Sequence, residues 1–364
     1  MNFSELQKKV QTVSKKVLRS VGIDLGTSTI KMSSNNGSSL IKIPSIIGDP
    51  NPGWTGMTLD KSLENNLVLE QDGQSFFVGE LARLQSEIKR PLASEGKMKS
   101  IKDAVMAIKA ALALFIKGDN EEVLIATGVP VATSQDEMST LSKGLSEEME
   151  INVKNDSTGE SHNYNINVKK CLVLPEPYGS YYQILKTSGE SRAVDAIIVD
   201  IGHGSTDILT VYQGRLMRTA SGSLEEAVDT LTTRMARTLQ EQTGKIIRPF
   251  DLMKTIEKNL KAVMVGGQQY DVSEVKDYYI QNISEIVIDE TSRLLGTLPP
   301  DAWIERVILT GGGAYVFGDA LKEMMWKENI VKSPEEVVVP ENPVMCNAQG
   351  FELIASSRMK AESK

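Results

Sequence analysis

Val21-Gly22-Ile23-Asp24-Leu25-Gly26-Thr27-Ser28-Thr29-Ile30 has a counterpart later in the chain, Ile198-Val199-Asp200-Ile201-Gly202-His203-Gly204-Ser205-Thr206-Asp207-Ile208. Each opens on an apolar run ending in Asp, turns through Gly, Ser and Thr, and returns as a second apolar run. Runs of this kind read as strands and the turns as hairpins. A third strand candidate follows each pair: Leu40–Ile43 in the first half and Arg215–Ser221 in the second. Two copies of one strand-turn-strand unit, with Asp24 and Asp200 176 residues apart, predict two similar domains that face each other.

Outward from these hairpins, strands and helices alternate. Val68–Val78, broken at Asp72-Gly73, reads as a hairpin, and Asp49–Gly56 as a Pro/Gly loop. The spacing predicts helices over 98–117 and from Ser134 to Met149, the latter with Glu137 at capping-box distance from Ser134. Val123–Thr127 reads as a buried strand. Asn152–Asn167 reads as a polar hairpin leading to strand Cys171–Leu174, and 176–187 as a helix. Further helices are expected over 224–242, 249–264, 273–296 and from Cys346 to about 358, and Arg306–Thr310 is a strand that runs into Gly311-Gly312-Gly313. This alternation implies an α/β fold.

At 364 residues the chain is long enough for two cores. A net charge of −8 argues against a surface whose main task is to grip nucleic acid. Two distant cysteines, Cys171 and Cys346, form neither a disulfide framework nor a zinc spacing, and fit a reducing cytoplasm. With only His162 and His203, a histidine-based metal site is not expected. No apolar run is long enough for a membrane helix, and the N-terminus lacks a signal peptide's apolar core. Residues 1–20 place Leu6, Val10, Val13 and Val17 at helical spacing among lysines and Arg19. That pattern suits a solvated or docked helix; contact with an anionic membrane is the less favoured reading.

The chemistry concentrates at the turns. Backbone N–H groups of Gly26, Thr27, Ser28 and Thr29, and of Gly202, Gly204, Ser205 and Thr206, can approach phosphate oxygens. Lys31, two residues into the returning strand, adds a point charge. Asp24 and Asp200, at strand ends, suit a hydrated Mg²⁺, which takes few protein ligands. Glu176 stands between Pro175 and Pro177, which restrict it, so its carboxylate can orient a water or simply open a helix. Gly311, Gly312 and Gly313 lie between strand and helix, where backbone approaches a ligand. Neither a GxxxxGK[ST] loop nor a GxGxxG fingerprint is present.

In this order the motifs resemble the actin-like ATPase superfamily, over about residues 21–357. The first phosphate loop resembles Asp24–Lys31, the first connecting segment Leu174–Gly179, the second phosphate loop Val199–Asp207, the adenosine motif Ile308–Ala314, and the last connecting segment Pro343–Gly350, with Asn347-Ala348-Gln349-Gly350 at its core. Length and loops resemble the prokaryotic actins of ParM, archaeal ParM-like, MamK and MreB type. The resemblance implies two similar actin-like (ribonuclease H-like) domains, each with a mixed five-stranded sheet and flanking helices, and a nucleotide cleft between them. Residues 1–20 would be an extension, 21–190 domain I with an inserted subdomain near 44–95, 191–342 domain II, and 343–364 a helix returning to domain I.

It further implies a cytoplasmic ATPase that binds ATP or ADP with Mg²⁺ and polymerises head to tail. Such filaments would serve DNA segregation through a DNA-bound adaptor protein, or cell organisation. Asp24 and Asp200 would serve Mg²⁺ and Glu176 the attacking water. The two Gly/Ser/Thr turns and Lys31 would hold phosphates, Gly311–Gly313 the adenosine, and Glu257 or Lys258 the ribose. His203 stands where small residues are usual. The same cleft would equally serve a small-molecule kinase, or a non-polymerising membrane-associated ATPase of the FtsA or PilM kind.

Overall fold

The computed structural model describes residues 18–362, apart from 36, 52–57, 95–96, 99, 117 and 119–120. The amphipathic pattern of residues 1–17 lies outside the described residues, and Leu18–Ser20 belong to the first strand. The first half comprises β1 (Leu18–Leu25), β2 (Thr29–Ser34), β3 (Ser39–Pro44), β4 (Ile46–Gly48), β5 (Leu67–Gln71), β6 (Gln74–Val78), α1 (Glu80–Gln85), β7 (Lys89–Pro91), β8 (Ala93–Ser94), β9 (Lys97–Met98), α2 (Ile101–Leu112), β10 (Glu121–Val129), α3 (Gln135–Gly144), β11 (Glu147–Asn155), β12 (Ser161–Pro175) and α4 (Pro177–Thr187). The second comprises β13 (Ala196–Ile201), β14 (Thr206–Tyr212), β15 (Arg215–Leu216), β16 (Gly222–Leu224), α5 (Val228–Thr243), α6 (Pro249–Glu257), β17 (Ala262–Val265), β18 (Gln268–Asp271), α7 (Ser273–Leu295), β19 (Arg306–Thr310), α8 (Ala314–Lys327), β20 (Val337–Val338) and α9 (Cys346–Glu362).

The first sheet runs β3-β2-β1-β10-β12 and continues through β11-β5-β6-β4-β7. The five-stranded core expected from sequence is present, joined edge to edge with five more strands. The second sheet runs β15-β14-β13-β19-β20, with β16 paired to β14. In both, the hairpin strands are antiparallel and the next strand inward is parallel, which is the mixed pattern expected of the fold.

Alternation explains the cores. Ile23, Leu25, Ile30 and Met32 point into one core with Ile43, so Asp24 and Lys31 must leave the sheet on the other face. Ile197, Val199, Ile201 and Ile208 do the same in the second half. Over the first core lies α2, capped by Ser100, whose side chain accepts from Asp103 N–H, and buried along Ala104, Ile108 and Ala111.

Three elements end where the patterns predict otherwise. The Ser134 capping box forms, but α3 stops at Gly144. Met149, Ile151 and Val153, which alternate, pair as β11 between β12 and β5; the period of two wins because two partner strands flank it. Helix α6 ends at Glu257, with Asn259 at φ 48°. The chain then forms the β17–β18 hairpin. A left-handed Asn just past a helix end stops it. In the second unit the third strand is split: β15 covers the start of the expected span, a 3₁₀ turn at 218–220 interrupts it, and β16 resumes the pairing with β14.

Helices α4 and α9 cross between the halves with almost no spacing. A Cβ built on Gly350 would lie 1.7 Å from the Gly179 carbonyl oxygen, and one on Gly22 of β1 would lie 2.0 Å from the Ala348 oxygen. Any side chain there would force backbones apart. Cys171 and Cys346 are both buried and free; burial pushes their thiols up to about 12 and about 11. Among the described residues no helix is long and apolar enough to cross a membrane.

Candidate functional site

Strand register builds the site. Across the first hairpin Asp24 pairs with Lys31, and Lys31 pairs with Lys42 on β3. Across the second, Asp200 pairs with Asp207, and Asp207 with Ser223 on β16. Each half therefore carries a transverse row of three polar side chains at the same place: Asp24–Lys31–Lys42 and Asp200–Asp207–Ser223. The two turns meet tip to tip, for a Cβ on Gly204 would lie 3.4 Å from Thr27 Oγ1.

Both rows open on a single cleft of about 320 Å³. Most of the residues singled out from sequence line it: Asp24, the turn Gly26–Thr29, Lys31, Glu176, Asp200, Gly202, Ser205, Glu257, Gly311 and Gly312. Gly204, Thr206, Gly313 and Lys258 stand behind or beside it. Gly204 faces Thr27. Thr206 is buried, and its hydroxyl donates to the Glu226 carbonyl. The Gly313 N–H donates to the Ile201 carbonyl, and a Cβ there would collide with Ile201. Lys258 caps the end of α6, its N–H donating to the Lys254 carbonyl. His203 lines the cleft, and its carbonyl accepts from Asp229 N–H at the start of α5.

The acidic end of the cleft is tightly wired. Lys31 Nζ is 2.7 Å from Asp24 Oδ2 and lies over the first turn, 3.2 Å from where a Gly26 Cβ would be. Burial alone would lower the Lys31 pKa; Asp24, with Asp200 and Glu176 behind it, outweighs this and holds the ammonium above its ordinary value. Asp200 is held through one oxygen and closely approached at the other. Oδ2 accepts from Asn347 Nδ2 at 2.5 Å, and Gly311, at φ 79°, brings its backbone against Oδ1. Burial and then Asp24 push the Asp200 carboxyl up to about 7, against the pull of Lys31 and Asn347. Glu176 fits across β10 because Gly128 has no side chain; a Cβ there would be 2.7 Å from Glu176 Cγ. Burial, then Asp24, Asp207 and Asp200, hold the Glu176 carboxyl well above the ordinary carboxylate range.

Two residues were not among those expected. Asp207 is buried and bridges the halves: Oδ1 accepts from the Val131 N–H at 3.2 Å and also from Ser223. Burial lifts it to about 6, while Ser223 and Val131 draw it down. The signal was its place opposite Asp200 in the hairpin. Asn347 Oδ1 accepts from Ser180 N–H at 3.0 Å and Ser180 Oγ at 2.6 Å, while its amide donates to Asp200. It ties the α4–α9 crossing to the cleft; its polar side chain among small residues was the available signal.

Four carboxyl groups crowd beside Lys31, with Lys42 further out, and the burial and mutual repulsion that push Glu176, Asp200 and Asp207 up would be relieved by a bound cation. The donors are hard oxygens. Among the described residues no three acidic, His or Cys side chains converge as a metal cluster. One or two carboxylates completed by ligand oxygens is how Mg²⁺ is usually held. The same lining includes the apolar Met253, Ile256, Val316 and Val344, with Tyr315. A lining that combines charged and apolar side chains fits a ligand with a charged tail and a flat ring.

Comparison with known proteins agrees with this layout. Residues 22–179 match the model for the N-terminal domain of actin-like proteins, and 198–323 the model for the C-terminal domain of archaeal MreB-like actin homologues. The chain is 22% identical over 327 residues to the actin-like protein MamK of Paramagnetospirillum magneticum, covering 82% of this chain and 81% of MamK. The crystal structure of an archaeal actin homologue superposes with a TM-score of 0.75 at 23% identity, over 94% of this chain and 99% of that one. The same homologue solved as its ADP complex gives 0.67. The protomer of a 15-stranded ParM filament from Clostridium botulinum gives 0.73 at 19% identity, over 94% and 99%.

Proposed function

Because this chain belongs to the prokaryotic actin-like cytoskeletal proteins, we propose that it binds ATP with Mg²⁺ in the cleft, hydrolyses it, and assembles head to tail into filaments that disassemble after hydrolysis. The observation that carries the reading is the pair of facing rows, Asp24–Lys31 and Asp200–Asp207, each behind a glycine turn at one cleft. The archaeal homologue's ADP complex and the ParM filament support it by likeness.

In this reading the two turns clasp the β- and γ-phosphates through backbone N–H groups, and Lys31 adds charge. The base rests against Met253, Ile256 and Val316, with Glu257 towards the ribose. Mg²⁺, near Asp24 and Asp200, would neutralise charge developing on the phosphates. Glu176 accepts a proton from water as the water oxygen bonds to the γ-phosphorus. The bond to the β-phosphate breaks with its electron pair on ADP, and the proton passes on to solvent. A raised pKa makes the ionised Glu176 carboxylate a stronger proton acceptor. Across the mouth of the cleft the two halves also touch at Thr27–Gly204 and Val131–Asp207; loss of the γ-phosphate removes the bridge between the turns there, so nucleotide state sets the angle between the halves. A head-to-tail contact that reads this angle yields an open filament. The setting is cytoplasmic, with a DNA-bound adaptor or another cellular cargo as partner.

Sedimentation tests it. ATP with Mg²⁺ is expected to drive the protein into the pellet, ADP is not, and phosphate release is expected to precede return to the supernatant. Soluble protein in both nucleotides would sink the filament step. ATP-dependent phosphorylation of a small acceptor would move the chain to the kinase class.

A further inference from the structure

We propose that Lys42 is the contact for the departing phosphate: a second cation, one strand outward from Lys31, that holds inorganic phosphate in the cleft after its bond to ADP has broken. The inference rests on the ATPase reading above.

Asp24, Lys31 and Lys42 are direct cross-strand neighbours on β1, β2 and β3. The flanking rows, Ile23–Met32–Ile41 and Leu25–Ile30–Ile43 in the same register, face the core. Lys31 and Lys42 therefore leave the sheet on one face, with Cβ atoms about 5 Å apart. Like charges directly opposite each other destabilise a sheet. Asp24 offsets that for Lys31. Lys42 is exposed, lines the same cleft, and makes no hydrogen bond or ion pair among the described residues. Two lysines side by side, of which only one is neutralised, are a site for an anion with several charged oxygens.

Position decides which anion. Lys31 is held inward, over the first turn. Lys42 stands on the edge strand of the sheet, towards solvent. Before hydrolysis the γ-phosphate is tethered to ADP between the two turns. Afterwards the free dianion is repelled by ADP and by the carboxylates around it, and the unpaired cation next to Lys31 lies on the solvent side. A flexible ammonium follows a moving phosphate better than a fixed fork does.

The test uses the full chain with Lys42→Gln and Lys42→Arg. Inorganic phosphate is titrated into the ADP–Mg²⁺ form by calorimetry, and phosphate release after a single turnover is followed with a fluorescent sensor. Lys42→Gln is expected to weaken phosphate binding and speed its release by about tenfold or more, the loss of one charge-assisted contact. ATP affinity should stay within about threefold, and Lys42→Arg should restore most of the retention. Unchanged phosphate affinity in Lys42→Gln overturns the inference. So does an equal loss of ATP affinity, which makes Lys42 a general nucleotide ligand. A wild-type protein that releases no phosphate from ATP sinks the ATPase reading instead, a result the same sensor reports separately.

Discussion

Glu176→Ala is expected to slow ATP hydrolysis by about 10²-fold or more while ATP binding and filament assembly survive. In the proposed reading water positioning is lost, while the phosphates are held by backbone N–H groups of other segments. The local backbone does not depend on the carboxylate: the residue 176 N–H donates to the Val129 carbonyl, Pro177 starts α4, and no side-chain cap is made at this end. Removing a buried carboxyl whose pKa is held high also relieves repulsion with Asp24, Asp207 and Asp200. Filaments of the variant should persist long after wild-type ones have decayed, so light scattering after one ATP addition should reach a plateau and stay there. Hydrolysis at the wild-type rate would reduce Glu176 to a helix-opening residue. Loss of ATP binding would make its role structural.

Asp200→Asn is expected to move activity and stability in opposite directions. Loss of a Mg²⁺-facing carboxylate should cost about 10³-fold in Mg²⁺-dependent hydrolysis, since such charge stabilisation is worth several kcal/mol. Without nucleotide the variant should be the more stable protein at pH 8. The Asp200 carboxyl stands at about 7 when folded against an ordinary 3.8. The folded state therefore binds the extra proton between those values, and its stability falls as pH rises through about 7. That gap corresponds to at most about 4 kcal/mol above pH 7. The amide keeps the shape and can still accept from Asn347 Nδ2. Urea melts of the nucleotide-free proteins should diverge at pH 8 and converge near pH 4. Equal stability at both pH values would show that Asp200 is not held in a strained, charged state, whatever its part in hydrolysis.

The sequence made the two hairpins legible because strand, turn and Asp are local, and a local pattern occurring twice identifies itself. For the same reason Glu176 and the Gly311–Gly313 turn were expected near the cleft, and Glu176, Gly311 and Gly312 line it. What stayed hidden depends on partners far away in the chain. Nothing near Met149 tells that β12 will pair with it and that β5 will flank 152–155 just beyond, so a helix start with a good cap was extended too far. Asp207 reads as one more polar residue until Val131 reaches it from the other half. Asn347 acquires meaning only with Ser180 and Asp200 around it. Lys42 was a strand residue like others until register set it beside Lys31.

The buried thiols have a practical consequence. At neutral pH neither Cys171 nor Cys346 offers a thiolate or an accessible sulfur, and maleimides react only with exposed thiolate. The native chain is thus already a silent background for site-specific labelling. One cysteine introduced at exposed Leu40 and one at exposed Leu216, on the edge regions of the two sheets, would take up a donor and an acceptor dye with no native cysteine removed. The proposed change of angle between the halves on nucleotide binding would then be read in single molecules by energy transfer, separately from any assembly.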